Sequence, residues 1–147
     1  MALDELKGTE LGSQTITIEQ GPVRAYARAC KDDQDRYTGD HAPTPPTWPF
    51  VMSYWGSMGT GGAAGLPIDK LRGPGRSILH GEQEFIYTRS PQVGETLTGT
   101  TTISDVYEKD TSSATMEFYV RDTAWRDAAG EPVVTDRFVL IVRVKKG

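Results

Sequence analysis

The second half of the chain contains four long runs of strand-forming residues, and these runs constrain the fold more than any other feature. They cover residues 78–89, 96–109, 114–127 and 132–145. The last three runs alternate with period two, and on the third run Met116, Phe118 and Val120 interleave with polar or amphipathic residues. The connections are short, and short connections join antiparallel neighbours. We therefore predict an antiparallel sheet whose apolar face must be covered by another element.

The segment 48–58 is the element best suited to cover that face. A proline cluster precedes it, Thr47 is a plausible N-cap, and the segment is apolar on nearly every side. A helix that is apolar all round is expected to be buried all round. Upstream, residues 14–18 read as a short strand and residues 19–31 as an amphipathic helix with a face that includes Val23 and Cys30. This order predicts an α+β chain with a curved antiparallel sheet around one central helix, which is the hot-dog arrangement.

Length and composition exclude several classes of protein. The 147 residues suit one domain spanning 1–147, and the net charge of -4 offers no case for a nucleic-acid or membrane partner. A single cysteine excludes an internal disulfide, and no apolar run is long enough for a membrane span. The first residues carry acid where a signal peptide carries lysine or arginine. We expect a cytoplasmic location.

Several motifs together resemble one known family. Residues 45–50 read PPTWPF, 78–83 read ILHGEQ, 94–97 read GETL and 105–109 read DVYEK. In combination they resemble the N-terminal half of MaoC-like (R)-specific enoyl-CoA hydratases, a half that is non-catalytic. They are also similar to one chain of the mycobacterial hydroxyacyl-ACP dehydratases. The resemblance covers about residues 14–145 and implies a hot-dog subunit that binds an acyl-CoA or acyl-carrier-protein thioester, with no cofactor and no metal.

Active members of this family carry Asp-x-Asn-x-x-His, whose aspartate and histidine activate the water that adds across the enoyl double bond. The matching positions here are Asp32, Gln34 and Tyr37. A phenol has a pKa near 10 and is a poor base at neutral pH, whereas imidazole titrates near 6.5. The resemblance therefore implies that no catalytic residue lies on this chain. A catalytic MaoC-like hot-dog subunit would supply the Asp/His pair in a dimer or higher oligomer.

The resemblance also suggests residues that support substrate binding. His80, Glu82 and Gln83 are expected at the subunit junction; strict alternation would place His80 and Glu82 on one face and Gln83 on the other. Three aromatic residues of the central helix are most simply core, with some of that face free to line an acyl tunnel: Trp48, Tyr54 and Trp55. In the long loop 59–75, Arg72 and Arg76 are candidates for CoA phosphates, although ordinary surface charge is the simpler interpretation.

Two alternatives of other kinds stay open. One is a self-sufficient homodimeric hydratase or hot-dog thioesterase that uses His80, the fallback catalytic candidate, or His41. The other is an acyl-CoA-binding module without turnover. Nucleophile-elbow, phosphate-loop and metal-ligand motifs are missing from the sequence, so other enzyme classes have no support.

Overall fold

The computed structural model describes residues 3–32, 34–55, 66 and 71–147. Within these ranges the helices and strands are β1 (Glu10–Thr17), α1 (Gln20–Ala29), α2 (Trp48–Trp55), β2 (Arg76–Tyr87), β3 (Thr96–Asp110), β4 (Ala114–Arg126) and β5 (Pro132–Lys145). Short 3₁₀ turns lie at Leu3–Leu6 and Asp35–Tyr37. Of the helices in these ranges, none is long and apolar enough to cross a membrane. The predicted elements are all present, and the last residues predicted for the central helix, 56–58, lie outside the described residues.

All five strands form one antiparallel sheet in the order β1-β3-β4-β5-β2. Strands β3, β4 and β5 form a meander, because their connections are short. Strand β2 comes before them in the chain but pairs with β5 at the far edge of the sheet. The connection that contains α2 therefore crosses one face of the sheet, which confirms the predicted sheet with a central helix.

Helix α2 is buried on one side only. Met52 and Trp48 face the sheet and are 0% and 2% exposed. Phe50 and Tyr54 lie on the opposite side with their rings stacked 6.3 Å apart, and they are 42% and 61% exposed. The prediction that this helix is buried all round is therefore wrong in the described part of the chain, because the sheet reaches only one of its sides.

Helix α1 packs beside α2 through Val23 and Ala27, which are 0% and 1% exposed. The helix ends at Ala29. Cys30 keeps a negative φ of -77°, whereas Lys31 has a φ of 57°, in the left-handed region. Cys30 lies past the end of the helix and is exposed, so its predicted place on the buried face is wrong. The chain turns sharply here and carries Asp32 back towards the helix end.

The face of the sheet that holds α2 carries two apolar clusters. The cluster nearer α1 and α2 centres on Met52, Leu97 and Trp125. The second, at the other end of the sheet, includes Leu71 and Leu140. A band of buried polar residues is part of the same face, and its members are Thr101, Arg121, Thr123 and Asp136. This polar band is unusual because burying a charged side chain is costly unless it is paired.

A glycine opposite a tryptophan permits the packing of the first cluster. Gly99 and Trp125 are directly paired across β3 and β4. A Cβ atom at Gly99 would lie 2.8 Å from two atoms of the Trp125 ring. The indole is rigid and 1% exposed, so it has little room to move away.

We expect Gly99→Ala to lower the free energy of unfolding by about 1–3 kcal/mol through overpacking. Urea unfolding of the purified chain measures this. Gly21→Ala is the matched control, because a Cβ atom there meets no atom within 4 Å; we expect that variant to be neutral or slightly stabilised. Equal effects of the two substitutions would contradict the role given to Gly99.

Candidate functional site

The three residues that align with the family motif form one closed hydrogen-bonded cluster together with Arg36. The Tyr37 hydroxyl donates to Asp32 Oδ2 at 2.6 Å, and Arg36 Nη2 donates to the same oxygen at 2.8 Å. Gln34 Nε2 donates to Asp32 Oδ1 at 2.5 Å. Arg36 also donates to the Tyr37 hydroxyl at 2.7 Å. Both carboxylate oxygens of Asp32 therefore already accept hydrogen bonds from within the chain.

The electrostatics of this cluster oppose catalysis. The Tyr37 hydrogen bond, followed by Arg36 and Gln34, holds the pKa of Asp32 below its usual value, so this carboxylate is a weak base. Burial and the hydrogen bond to Asp32 raise the pKa of Tyr37, which moves the phenol further from neutral pH. The cluster thus combines a stabilised carboxylate with a phenol that keeps its proton. It can position a loop, but it lacks a group that exchanges a proton near pH 7.

A β-bulge at Gly81 decides where the residues of the 78–83 motif point. The pairing of β2 with β5 shifts between His80 and Glu82, so Gly81 has no partner of its own. His80 pairs with Leu140 and Gln83 with Phe138, and both lie on the face that holds α2. The expectation from strict alternation is therefore wrong, because one extra residue puts His80 and Gln83 on the same face and Glu82 on the other.

The bulge depends on the close approach of β5. A Cβ atom at Gly81 would lie 2.6 Å from Ile141 Cδ1, 2.8 Å from Ile141 Cγ1 and 3.1 Å from the Val139 carbonyl oxygen. Glycine is the residue that fits this space without a shift of its neighbours.

On the α2 side of the bulge lies a cavity of about 190 Å³. Its apolar wall consists of Phe50, Tyr54 and Phe138. Its polar wall consists of Ser53, His80, Arg121 and Asp136. The His80 and Phe138 rings meet edge to face at 4.5 Å. The cavity thus joins the exposed side of α2 to the polar band of the sheet.

Asp136 is the most deeply buried charged group at this cavity, at 2% exposure. The Ser53 hydroxyl donates to its Oδ2 at 2.5 Å, and Gln83 Nε2 donates to its Oδ1. Burial raises the pKa of Asp136, while these hydrogen bonds and the charge of Arg121 act in the opposite direction. Both carboxylate oxygens therefore have donors.

Arg121 is 7% exposed, and fewer of its polar atoms have hydrogen-bond partners than those of Asp136. Its guanidinium lies 4.8 Å from the centre of the Phe138 ring. Its Nε and Nη1 are buried and meet no hydrogen-bond partner among the described residues. Burial lowers the pKa of Arg121, and the charge of Asp136 raises it. A buried donor without a partner costs about 1–3 kcal/mol, so these two N–H groups call for an acceptor.

Comparisons with known proteins decide the family. Residues 5–136 match the family model described as FAS1-like, dehydratase domain region. The chain belongs to this family. A protein of Thermobifida fusca (strain YX) named UPF0336 protein is 32% identical in an alignment of 130 residues that covers 82% of this chain and 80% of that protein.

Solved structures show the fold of this FAS1-like dehydratase chain. It is similar to a chain of the ChsH1-ChsH2 complex from Mycobacterium tuberculosis, with a TM-score of 0.75, 20% identity, and coverage of 99% of this chain and 90% of that chain. It is similar also to a chain of the HadBC (3R-hydroxyacyl-ACP dehydratase) complex from the same organism, with a TM-score of 0.69, 15% identity, and coverage of 92% and 96%. The hot-dog fold and the resemblance to MaoC-like dehydratases are confirmed.

The other candidate residues of this family member lie in several places. Trp48 belongs to the core and meets Tyr26 edge to face at 5.7 Å. Tyr54 lines the cavity, whereas the side chain of Trp55 lies outside the described residues. Glu82 lies on the opposite face of the sheet, in an open groove with Glu84.

The two arginines of the loop differ in surroundings. Arg76 is the first residue of β2 rather than a loop residue, and it donates to Glu117 at 2.6 Å and to the Leu71 carbonyl at 2.9 Å. Arg72 is exposed. His41 is exposed as well, on the connection between the 3₁₀ turn and α2. Most of the loop between Arg72 and α2 lies outside the described residues.

Arg121 and Asp136 were not singled out from the sequence. A signal exists for Asp136, which falls between Val134 and Phe138 in the apolar phase of its strand. Alternation gives no such signal for Arg121, because it shares its phase with Glu117 and Tyr119. A charged residue in the phase that should be apolar marks a functional candidate. Within the described ranges, no group of three or more His, Cys, Asp or Glu side chains is placed to hold a metal ion.

We expect Tyr37→Phe to raise the pKa of Asp32 towards its usual value, because the largest cause of its lowering is removed. A lowered folded-state pKa stabilises the fold above the unfolded value of about 4, and this contribution is lost as pH falls through the folded pKa. The difference in unfolding free energy between wild type and variant should therefore narrow in acid. NMR titration of the carboxyl carbon and urea unfolding at several pH values measure both effects.

Tyr26→Phe is the control for that experiment, because it removes a tyrosine hydroxyl that contacts Thr47 at 2.6 Å rather than a carboxylate. It should leave the titration of Asp32 unchanged. An identical Asp32 pKa in wild type and Tyr37→Phe would show that the cluster does not form in solution.

We expect Gly81→Ala to destabilise the fold by about 1–3 kcal/mol through overpacking against Ile141. The double variant Gly81→Ala/Ile141→Ala should be more stable than the sum of the single effects predicts, with a coupling of about 0.5–3 kcal/mol. A double-mutant cycle measured by urea unfolding gives this value. Strict additivity would contradict the close approach of the two residues.

Proposed function

We propose that this chain is the supporting, acyl-binding subunit of a heteromeric enoyl-thioester hydratase or dehydratase. A partner hot-dog chain supplies the catalytic Asp/His pair. The thioester is carried by CoA or by an acyl-carrier protein, and the chemistry uses no cofactor. The observation that carries this proposal is the closed cluster around Asp32, in which a family catalytic position is filled by groups that stabilise a loop.

The chemistry explains why that observation is informative. Hydration adds the hydroxyl of water to one carbon of the enoyl double bond and a proton to the other, and dehydration reverses both steps. One group must take a proton from water and one must deliver a proton, each with a pKa near the working pH. Asp32 has a lowered pKa and Tyr37 a raised one, so this pair supplies neither.

Two features support a hot-dog partner. The ChsH1-ChsH2 and HadBC structures to which this chain is similar are both complexes named for two components. In addition, β2 lies at an edge of the sheet and leaves one row of backbone groups without a strand partner among the described residues. Leu79 and Ile86 on this strand are each 45% exposed. Pairing of β2 with another chain would cover them.

Arg72 and Arg76 have different places in this proposal. Arg72 is exposed and available to a CoA or carrier phosphate. The ion pair of Arg76 with Glu117 makes its guanidinium a structural contact at the start of β2. We therefore assign phosphate binding to Arg72 rather than to Arg76.

The proposal is tested by assaying hydration of crotonyl-CoA with this chain alone, with its co-purified partner, and with the partner carrying a substituted motif histidine. We expect turnover only for the intact pair. Tyr37→Phe in this chain should leave kcat within about twofold of wild type, because Tyr37 touches no reacting atom in this scheme.

Asp32→Asn in the isolated chain, with exposed Asp35→Asn as the matched control, separates this proposal from a self-sufficient enzyme. Turnover by the isolated chain at enzymatic rates that Asp32→Asn abolishes would refute the supporting role. Turnover that His80→Ala or His41→Ala abolishes would favour the homodimeric alternative. Tight acyl-CoA binding with no turnover, even beside the partner, would favour a binding module.

A further inference from the structure

The cavity between α2 and the sheet has an excess of hydrogen-bond donors. Arg121 contributes buried Nε and Nη1 groups that no described residue accepts. Ser53 and Gln83 donate to the two carboxylate oxygens of Asp136, so these acceptors of the cavity wall already have donors. Gln83 Oε1 is a buried acceptor that also has no partner among the described residues, but Gln83 does not line the cavity. A ligand that completes this site must therefore bring an acceptor rather than a donor.

The charge of the site selects a neutral acceptor over an anion. Arg121 and Asp136 line the same cavity with opposite charges, and each favours the charged form of the other. A second carboxylate would gain the attraction of Arg121 but would also meet the negative charge of Asp136 in a desolvated site. A carbonyl oxygen has the acceptor capacity without that repulsion.

The other wall of the cavity requires an apolar body. Phe50 and Phe138 face the space, and the Phe138 ring is held between the Arg121 guanidinium and the His80 ring. The volume of about 190 Å³ exceeds the 150 Å³ or so that suffices for benzene in an apolar cavity. A six-membered ring or a short branched chain has the right size.

We propose that this cavity binds a neutral carbonyl group carried on a compact apolar skeleton, with the carbonyl oxygen accepting a hydrogen bond from the Arg121 guanidinium. In the complex proposed above, this group is part of the acyl chain of the thioester at a distance from the reacting double bond. Only that last identification rests on the proposed function. The class of ligand rests on the cavity itself.

Three matched probes test the proposal on the full chain without a partner: cyclohexanone, methylenecyclohexane, and cyclohexanecarboxylate. The second replaces the carbonyl oxygen of the first by a CH₂ group. Nitrogen–proton NMR spectra follow the Arg121 Nε–H signal and the backbone amides around the cavity. We expect cyclohexanone to shift the Arg121 Nε–H signal and to bind more tightly than either other probe.

Substitutions identify the donor. In Arg121→Met/Asp136→Asn, which removes both buried charges together, the ratio of ketone to hydrocarbon affinity should fall by about 10- to 100-fold, the range for a hydrogen bond to a charged group. Arg121→Lys keeps the positive charge but replaces the planar guanidinium by an ammonium group. It should lower the ratio of ketone to hydrocarbon affinity by less than the double variant does. Arg126→Met on the same strand is the control, because Arg126 is exposed and donates to the Gly130 carbonyl away from the cavity; its ratio should equal that of wild type.

An unchanged ratio in the double variant would overturn the proposal, as would tighter binding of the carboxylate than of the ketone, or the absence of any probe-induced shift at Arg121. If the double variant does not fold, the ratio measured for Arg121→Lys decides: a lower ratio than in wild type supports the proposal, and an unchanged ratio overturns it. None of these readouts involves hydratase activity. A failure here therefore leaves the supporting-subunit proposal standing, and a failure of that proposal leaves the ligand class of the cavity untouched.

Discussion

The packing of α2 against the sheet is the contact on which the other features of this protein depend. Trp48 and Met52 are drawn into the core, and Met52 shares its cluster with Leu97 and Trp125. Each large apolar side chain buried in this contact stabilises it by roughly 1.5–3 kcal/mol. The same packing places Ser53 against Asp136, and Phe50 and Tyr54 in the wall of the cavity beside β2. The cavity exists because the helix is apolar on more sides than the sheet can cover.

Two polar sites of the chain differ in how far their hydrogen bonds are satisfied. In the loop after α1, Asp32 accepts hydrogen bonds from Gln34, Arg36 and Tyr37, so its carboxylate acts as a structural acceptor. The polar band of the sheet, in contrast, leaves Arg121 donors open beside an apolar wall. Both carboxylate oxygens of Asp32 thus have donors, whereas two buried N–H groups of Arg121 have no acceptor among the described residues, which is costly for a charged side chain.

Much of the fold could be predicted from the sequence because its signals are local. Period-two alternation located β3, β4 and β5 to within one or two residues, and a proline cluster followed by Thr47 located the start of α2. Alternation alone did not decide which side of β4 is buried. Tyr119, Arg121 and Trp125 face the core, while Met116, Phe118 and Val120 are only half-buried. Hydrophobicity is a poor guide on this strand, because the buried face holds amphipathic and charged residues.

The sequence by itself determined the element order, the sheet with its central helix, and the tyrosine at position 37, where the family resemblance implies a histidine. Only the tertiary structure decided the closed cluster around Asp32, the bulge at Gly81 and the placement of Arg121 and Asp136 in one cavity. The last two depend on contacts between residues far apart in the chain: Gly81 on Ile141, Asp136 on Ser53 and Gln83, and Arg121 on Phe138. A local pattern cannot register such a contact, since a one-residue change in strand pairing moves every following side chain to the other face.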